Sequence, residues 1–218
     1  MSSHHFVREG QEPALVLANG LPCSTELLNQ LVAWSPTIMV LDGAYYKAME
    51  RNINFDILLG DFDSIKTTSI ELPFPAEIIH TPDQEKTDLQ KGLELLIARK
   101  TEAANLLWAT GARADHFMSN LNVMAKFRND ITLKMIDDNS VIYPVKSPFV
   151  KYFHAGENLS LIPLNAVKNI QTKNLQYELH GGLLEPGGRF GSSNRVKESG
   201  LVEVTFDDGI LLLMECKD

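Results

Sequence analysis

The stretch "DILLGDFDSI", residues 56–65, runs from a short apolar segment, Ile57-Leu58-Leu59, through Gly60 into two acids, Asp61 and Asp63. A brief, uninterrupted apolar run ending in turn formers reads as a strand buried on both faces. Gly60 permits a sharp exit and the close approach of a ligand. On extended chain, residues i and i+2 point the same way, which aims both carboxylates at one point. Two converging anions repel unless a cation lies between them, and a hard divalent ion such as Mg²⁺ suits oxygen ligands. The bland account is a polar turn, since Asp and Ser favour turns; the pair alone leaves both open. An EF-hand is excluded, because a loop begun at Asp61 would put Ile65, Lys66 and Leu72 at its fifth, sixth and twelfth positions.

Outward from this stretch, apolar runs alternate with helical patterns. "ALVLAN" (14–19), "TIMVLD" (37–42), "AEIIHT" (76–81), "NLLWATG" (105–111) and "ITLKMID" (131–137) read as further strands. "ELLNQLVAW", behind Ser24 or Thr25 as N-cap, reads as a helix, as does "DHFMSNLNVMAKF". "TDLQKGLELLIARK" (87–100) has apolar residues at 89, 93, 96 and 97, the period of an amphipathic helix. Gly43 opens another helix carrying Tyr45 to Arg51. Strands separated by helices predict an α/β domain over 1–140, with a mainly parallel sheet covered on both faces, Rossmann-like. After it the helical period stops. "VIYPV", "FVKYF", "NLSLIPL", "NIQTKNLQYEL", "LVEVTF" and "ILLLMEC" predict a smaller all-β sandwich over 141–218, with Asp207-Asp208-Gly209 as a hairpin turn between the last two.

The formal charge of −8 and the lack of a basic cluster argue against a nucleic-acid surface. No apolar run approaches a membrane span and no secretory segment stands near the start. Cys23 and Cys216 form no CxxC pair, so a reducing cytoplasm is expected. His4 and His5 sit in a short polar tail; His116, His154 and His180 lack ligand spacing and read as structural or solvated; Trp34 and Trp108 read as core.

The acids recur at equivalent places. Asp42 ends the second strand; "TPDQEKTD" supplies Asp83, Gln84, Lys86 and Asp88; "TGARADH" supplies Arg113 and Asp115. Taken alone, Asp88 reads as a first-turn acid favoured by the helix dipole. Together, acids with interspersed cations at the carboxyl ends of successive strands are what metal-bound phosphates require. Neither a P-loop nor a dinucleotide fingerprint is present.

In order and spacing, "LDGA", "ILLGDFDSI", "TPDQEKTDLQKGLELL", "GARADHFMSNL", "TKNLQYEL" and "SSNRV" resemble the thiamine pyrophosphokinase family over roughly residues 14–215. The resemblance implies transfer of a pyrophosphoryl group from ATP to thiamine, giving thiamine diphosphate and AMP. It also implies an α/β domain followed by a β-sandwich for thiamine binding and dimerisation, and a homodimer with active sites between subunits. Carried onto this chain, Asp61, Asp63 and Asp88 become Mg²⁺-binding carboxylates and Asp115 a further site acid; Asp115 and Asp88 stay open as proton acceptor. Gln84, Lys86, Arg113 and Asp42 become contacts to ATP and its phosphates. Tyr177, Ser192, Ser193 and Asn194 become thiamine contacts, Tyr177 standing where the family often has a tryptophan.

Two departures from the family pattern are Tyr46, where the family commonly has asparagine, and Gly191, at the first position of its serine-rich segment. Rival readings of the residues are a nucleotide-sugar glycosyltransferase, a related diphosphokinase with another alcohol acceptor such as a pterin, and a non-catalytic thiamine or nucleotide sensor.

Overall fold

The structure is a computed structural model that describes residues 14–35, 37–65 and 71–217. The chain divides into two compact units, the second beginning at Asn139. His4 and His5 lie outside the described residues.

In the first unit the strands β1 (Ala14–Leu17), β2 (Ile38–Leu41), β3 (Ile57–Gly60), β4 (Glu77–His80), β5 (Ala103–Leu107) and β6 (Thr132–Ile136) pair in parallel, in the order β6-β5-β1-β2-β3-β4. Between them run α1 (Thr25–Trp34), α2 (Tyr45–Glu50), α3 (Asp88–Ala98) and α4 (Ala114–Phe127), and Asp42–Ala44 forms a 3-10 turn ahead of α2. Every residue of β1, β2 and β3 is buried, which explains their unbroken apolar sequences. Ser24 is the cap of α1: its hydroxyl accepts from the Leu27 amide at 3.3 Å and donates to Asp138 at 2.5 Å. Thr87 caps α3 in the same way, through the Gln90 amide at 3.2 Å.

The chain winds outward from β1 to β4, then returns to the other side of β1 for β5 and β6. Such a reversal leaves a crevice beyond the carboxyl ends of the strands. The register aligns those ends: Leu17 lies beside Val40 and Leu107, Leu41 beside Leu59, and Gly60 beside His80. Residues just past them therefore share one edge of the sheet. Trp108, fully buried, leaves β5 in the left-handed region. Trp34 is half exposed at the end of α1 and is not the core residue its size suggested.

The second unit is all-β and antiparallel. β7 (Ser140–Val145), β9 (Asn158–Pro163), β13 (Gly191–Arg195) and β15 (Leu211–Cys216) pair in the order β13-β9-β15-β7; β8 (Phe149–Phe153), β11 (Gln171–Lys173) and β14 (Gly200–Thr205) in the order β11-β14-β8; β10 (Val167–Lys168) pairs with β12 (Leu183–Leu184). Alternation is clear in β9, where Leu159 and Leu161 are buried, and in β14, where Val202 and Val204 are.

In this unit two further details differ from the sequence reading. The Asp207-Asp208-Gly209 turn joins β14 to β15, but these strands lie in different sheets, so it is a crossing rather than a hairpin. Gly209 has φ +116°, and a Cβ there would lie 2.6 Å from the Ala166 carbonyl oxygen. The long strand expected over "NIQTKNLQYEL" stops at Lys173, because Asn174 turns into the left-handed region and its side chain bonds Glu198 and Leu201 instead.

Candidate active site

Beyond the carboxyl ends of the parallel strands lies a cavity of about 540 Å³ in the first unit. Asp42, Asp61, Asp63, Gln84, Lys86, Asp88, Lys91, Arg113 and His116 line it, together with residues of the Asn19-Gly20 and Gly111-Ala112 bends. Asp42, Asp61 and Asp63 each place a carboxylate oxygen so that all three lie within 4.8 Å of one another.

The convergence is not made by strand alternation. β3 ends at Gly60, and Phe62 has φ +64°, so Asp61 and Asp63 stand on a turn. The Phe62 amide donates to Asp42 Oδ2 at 2.9 Å, which fastens the turn to the buried acid of the neighbouring strand. The Phe62 ring stacks on His80, with centroids 5.6 Å apart. Gly60 is required by proximity: a Cβ there would lie 2.5 Å from Asp42 Cβ. The Gln84 side-chain amide donates to Asp61 Oδ2 at 2.7 Å.

The electrostatics separate the acids. Burial, then the charge of Asp88 and the contact with Asp61, push the Asp42 carboxyl up to about 6. The Gln84 hydrogen bond holds Asp61 below the usual carboxylate range, the opposite direction to its neighbour. Burial raises Asp88, against the opposing pull of Lys91. Lys91 is itself buried and donates to Asp88 Oδ1 at 3.1 Å and to the Thr81 carbonyl at 2.9 Å.

Among the residues singled out from sequence, Asp61, Asp63, Asp88, Gln84, Lys86, Arg113 and Asp42 all line the one cavity. The compact carboxylate group consists of Asp42 with Asp61 and Asp63; Asp88 lines the same cavity, paired with Lys91. Lys86 is ion-paired with Glu94 at 2.8 Å. Asp115 is drawn to Arg113 at 2.5 Å, which holds its carboxyl down to about 2, and it lines a second, shallower depression.

Tyr177, Ser192, Ser193 and Asn194 lie in the second unit. Tyr177 is 63% exposed, and Ser192 and Ser193 are exposed. Asn194 is buried; its oxygen accepts from the Tyr177 amide at 3.0 Å and its nitrogen donates to the Tyr177 carbonyl at 2.8 Å.

Sequence reasoning missed Lys91, His116 and Lys47. Lys91 carried a faint signal, three residues past Asp88 on one helix face. Lys47 donates to the Asn19 carbonyl and side-chain oxygens and to the Gly20 carbonyl, at 2.8 to 3.0 Å, bracing a cavity wall. That contact bridges elements far apart in sequence and has no local signature.

Residues 28–135 match the family model described as "Thiamin pyrophosphokinase, catalytic domain", and residues 148–211 match "Thiamin pyrophosphokinase, vitamin B1 binding domain". The chain belongs to the thiamin pyrophosphokinase family. It is 30% identical over 171 residues to rice thiamine pyrophosphokinase 1, the match spanning 72% of this chain and 64% of that protein. It is 25% identical over 166 residues to the Bacillus subtilis thiamine pyrophosphokinase, spanning 73% of this chain and 77% of the relative. The crystal structure of thiamine pyrophosphokinase from Bacillus subtilis superposes with a TM-score of 0.78 at 21% identity, covering 94% of this chain and 99% of that one. An α/β unit followed by an antiparallel β unit is thus an architecture shared with a member of the thiamin pyrophosphokinase family.

No described helix is long and apolar enough to cross a membrane.

Proposed function

We propose that this chain transfers a pyrophosphoryl group from ATP to the hydroxyl of thiamine, releasing AMP. The observation that carries the reading is the carboxylate group of Asp42, Asp61 and Asp63 at one end of a cavity that also presents Lys86 and Arg113, in a chain of the thiamin pyrophosphokinase family. The match of residues 148–211 to a vitamin B1 binding domain favours thiamine over a pterin as acceptor.

The donor set fits a hard divalent cation: three carboxylates within 4.8 Å of one another, all oxygen ligands, one of them buried. Asp42, Asp61 and Asp63 would hold Mg²⁺, with Asp88 beside them, and the ion would neutralise charge developing on the phosphates. Gln84 fixes the rotamer of Asp61 by its 2.7 Å bond, and Phe62 fixes Asp42. Lys86 and Arg113 would meet phosphate oxygens, exchanging their present partners Glu94 and Asp115 for the nucleotide.

In the reaction, a bond forms between the thiamine hydroxyl oxygen and the β-phosphorus. The bond from that phosphorus to the oxygen bridging to the α-phosphate breaks, and AMP leaves with the electron pair. The hydroxyl proton passes to a carboxylate. Asp88, raised by burial, is the better acceptor on the cavity wall; Asp115, held low by Arg113, is the weaker base.

In the second unit Tyr177 offers an exposed ring to a cationic heterocycle, with Ser192 and Ser193 on the neighbouring strand. Residues 1–140 are assigned to ATP and Mg²⁺, and 141–218 to thiamine and to assembly as a homodimer with active sites between subunits. The site of action is assigned to the cytoplasm.

The deciding experiment measures AMP from Mg-ATP with and without thiamine. Thiamine-dependent AMP matched by thiamine diphosphate supports the reading. Hydrolysis without thiamine, or none with it, rejects the acceptor.

A further inference from the structure

A lysine is rarely buried, because its ammonium must be stripped of water. Lys91 is 8% exposed, yet it sits among acids that line the cavity. It rises from the second turn of α3, three residues after Asp88, so both side chains leave one helix face. Its ammonium is held from two sides: Asp88 Oδ1 at 3.1 Å, and the carbonyl of Thr81, just past the end of β4, at 2.9 Å. The Thr81 amide in turn donates to the Gly60 carbonyl at 2.8 Å, immediately before Asp61. The lysine is therefore tied to the strand end that launches the acidic turn as well as to the helix that carries Asp88.

We propose that Lys91 is a positioning residue, a resident cation that tethers Asp88 to the helix side of the cavity and offsets the carboxylates' charge. This rests on the reading of Asp42, Asp61 and Asp63 as the metal-holding group. The tether explains why Asp88 stands apart from those three although it lines the same cavity. It also limits how tightly the cavity holds a divalent cation before ATP arrives. A fixed positive charge close to the acids opposes the incoming ion, and the fourth carboxylate is already engaged. By the same tether Asp88 is kept in one orientation toward the space where the acceptor hydroxyl would come.

The test uses the full chain, free of nucleotide, with Mn²⁺ as probe and the free ion followed by electron paramagnetic resonance. Wild type, Lys91→Met, Lys91→Arg and Asp61→Ala are compared, with turnover measured alongside. Removing one unit charge at such distances is expected to tighten Mn²⁺ roughly 3- to 10-fold in Lys91→Met. In the same variant kcat falls by roughly 10- to 100-fold, as for lost partners of metal-site residues. Lys91→Arg keeps the charge and stays near wild type in Mn²⁺ affinity. A folded Lys91→Met that binds Mn²⁺ as wild type does overturns the proposal and leaves Lys91 a packing residue. If Lys91→Met does not fold, Lys91→Gln replaces it under the same criteria. Asp61→Ala separates the two layers. Should it bind Mn²⁺ undiminished, the metal reading itself fails, whatever Lys91 does.

Discussion

The Phe62 amide hydrogen-bonds the buried carboxylate of Asp42, twenty residues earlier, at 2.9 Å. One acid thereby both belongs to the carboxylate group and shapes the turn that brings the other two to it. The arrangement costs stability. Asp42 is 4% exposed and its carboxyl is raised to about 6, so the folded protein grips this proton more tightly than the unfolded chain does.

The sign of the pH effect follows. The Asp42 contribution is fully present below the ordinary carboxylate pKa and is lost as pH rises through about 6. Asp61, lowered by Gln84, works in the opposite sense, with stability present above the ordinary value. Asp42→Asn keeps an oxygen for Phe62 and cannot ionise. Without Mg²⁺ at pH 8 it should be more stable than wild type by about 1–3 kcal/mol, a gap closing toward pH 4.5. Turnover should be lost at the same time. Urea midpoints at the two pH values measure this; equal midpoints at pH 8 would remove the strain ascribed to Asp42.

Gly60 leaves no room for a methyl group. A Cβ would meet Asp42 Cβ at 2.5 Å and its Cγ at 2.7 Å, inside a sheet that does not yield easily. Gly60→Ala should destabilise by about 1–3 kcal/mol and displace the Asp42 carboxylate. Activity should fall more than the melting temperature alone accounts for. An alanine variant with normal turnover would show that the Asp42 position does not matter.

Gln84 touches the carboxylate group through its hydrogen bond to Asp61, at 2.7 Å. Gln84→Ala is expected to leave the fold unchanged and to weaken Mg²⁺ activation by roughly 10- to 100-fold. The readout is the Mg²⁺ concentration giving half-maximal turnover at fixed ATP. Should that concentration stay the same while the KM for ATP rises, Gln84 contacts the nucleotide rather than orienting Asp61.

Much of this site is legible in the sequence because strand ends and acids coincide there. The buried runs before Asn19, Asp42 and Asp61 reveal parallel strands, and parallel strands put their carboxyl ends on one edge. What stays hidden depends on contacts across the chain. Asp42 reads as one acid among several until Phe62, in a left-handed conformation, turns onto it. β13, Gly191–Arg195, has no apolar alternation because most of its residues are exposed or half-exposed, and a break in register between Gly191 and Asn194 further blurs the period. The Asp-Asp-Gly turn looks the same whether it closes a hairpin or crosses between sheets; only the pairing partners of β14 and β15 decide.

In the β unit, the carboxamide of Asn194 is turned inward to both backbone groups of Tyr177. A ligand contact from that carboxamide would compete with bonds already made, so under the proposed assignment of thiamine to this unit Asn194 would act through Tyr177. Tyr177→Ala is expected to raise the KM for thiamine by roughly 5- to 30-fold, the worth of a ring face against a cation, with kcat changed less. Asn194→Ala removes the bonds to the Tyr177 amide and carbonyl, costing about 1–3 kcal/mol of stability. It should raise the same KM in parallel. The double variant decides: if the ring is the means by which Asn194 acts, Tyr177→Ala with Asn194→Ala shows little more KM loss than Tyr177→Ala alone. Additive losses would give Asn194 a contact of its own, and an unchanged KM in Tyr177→Ala would move the thiamine site elsewhere.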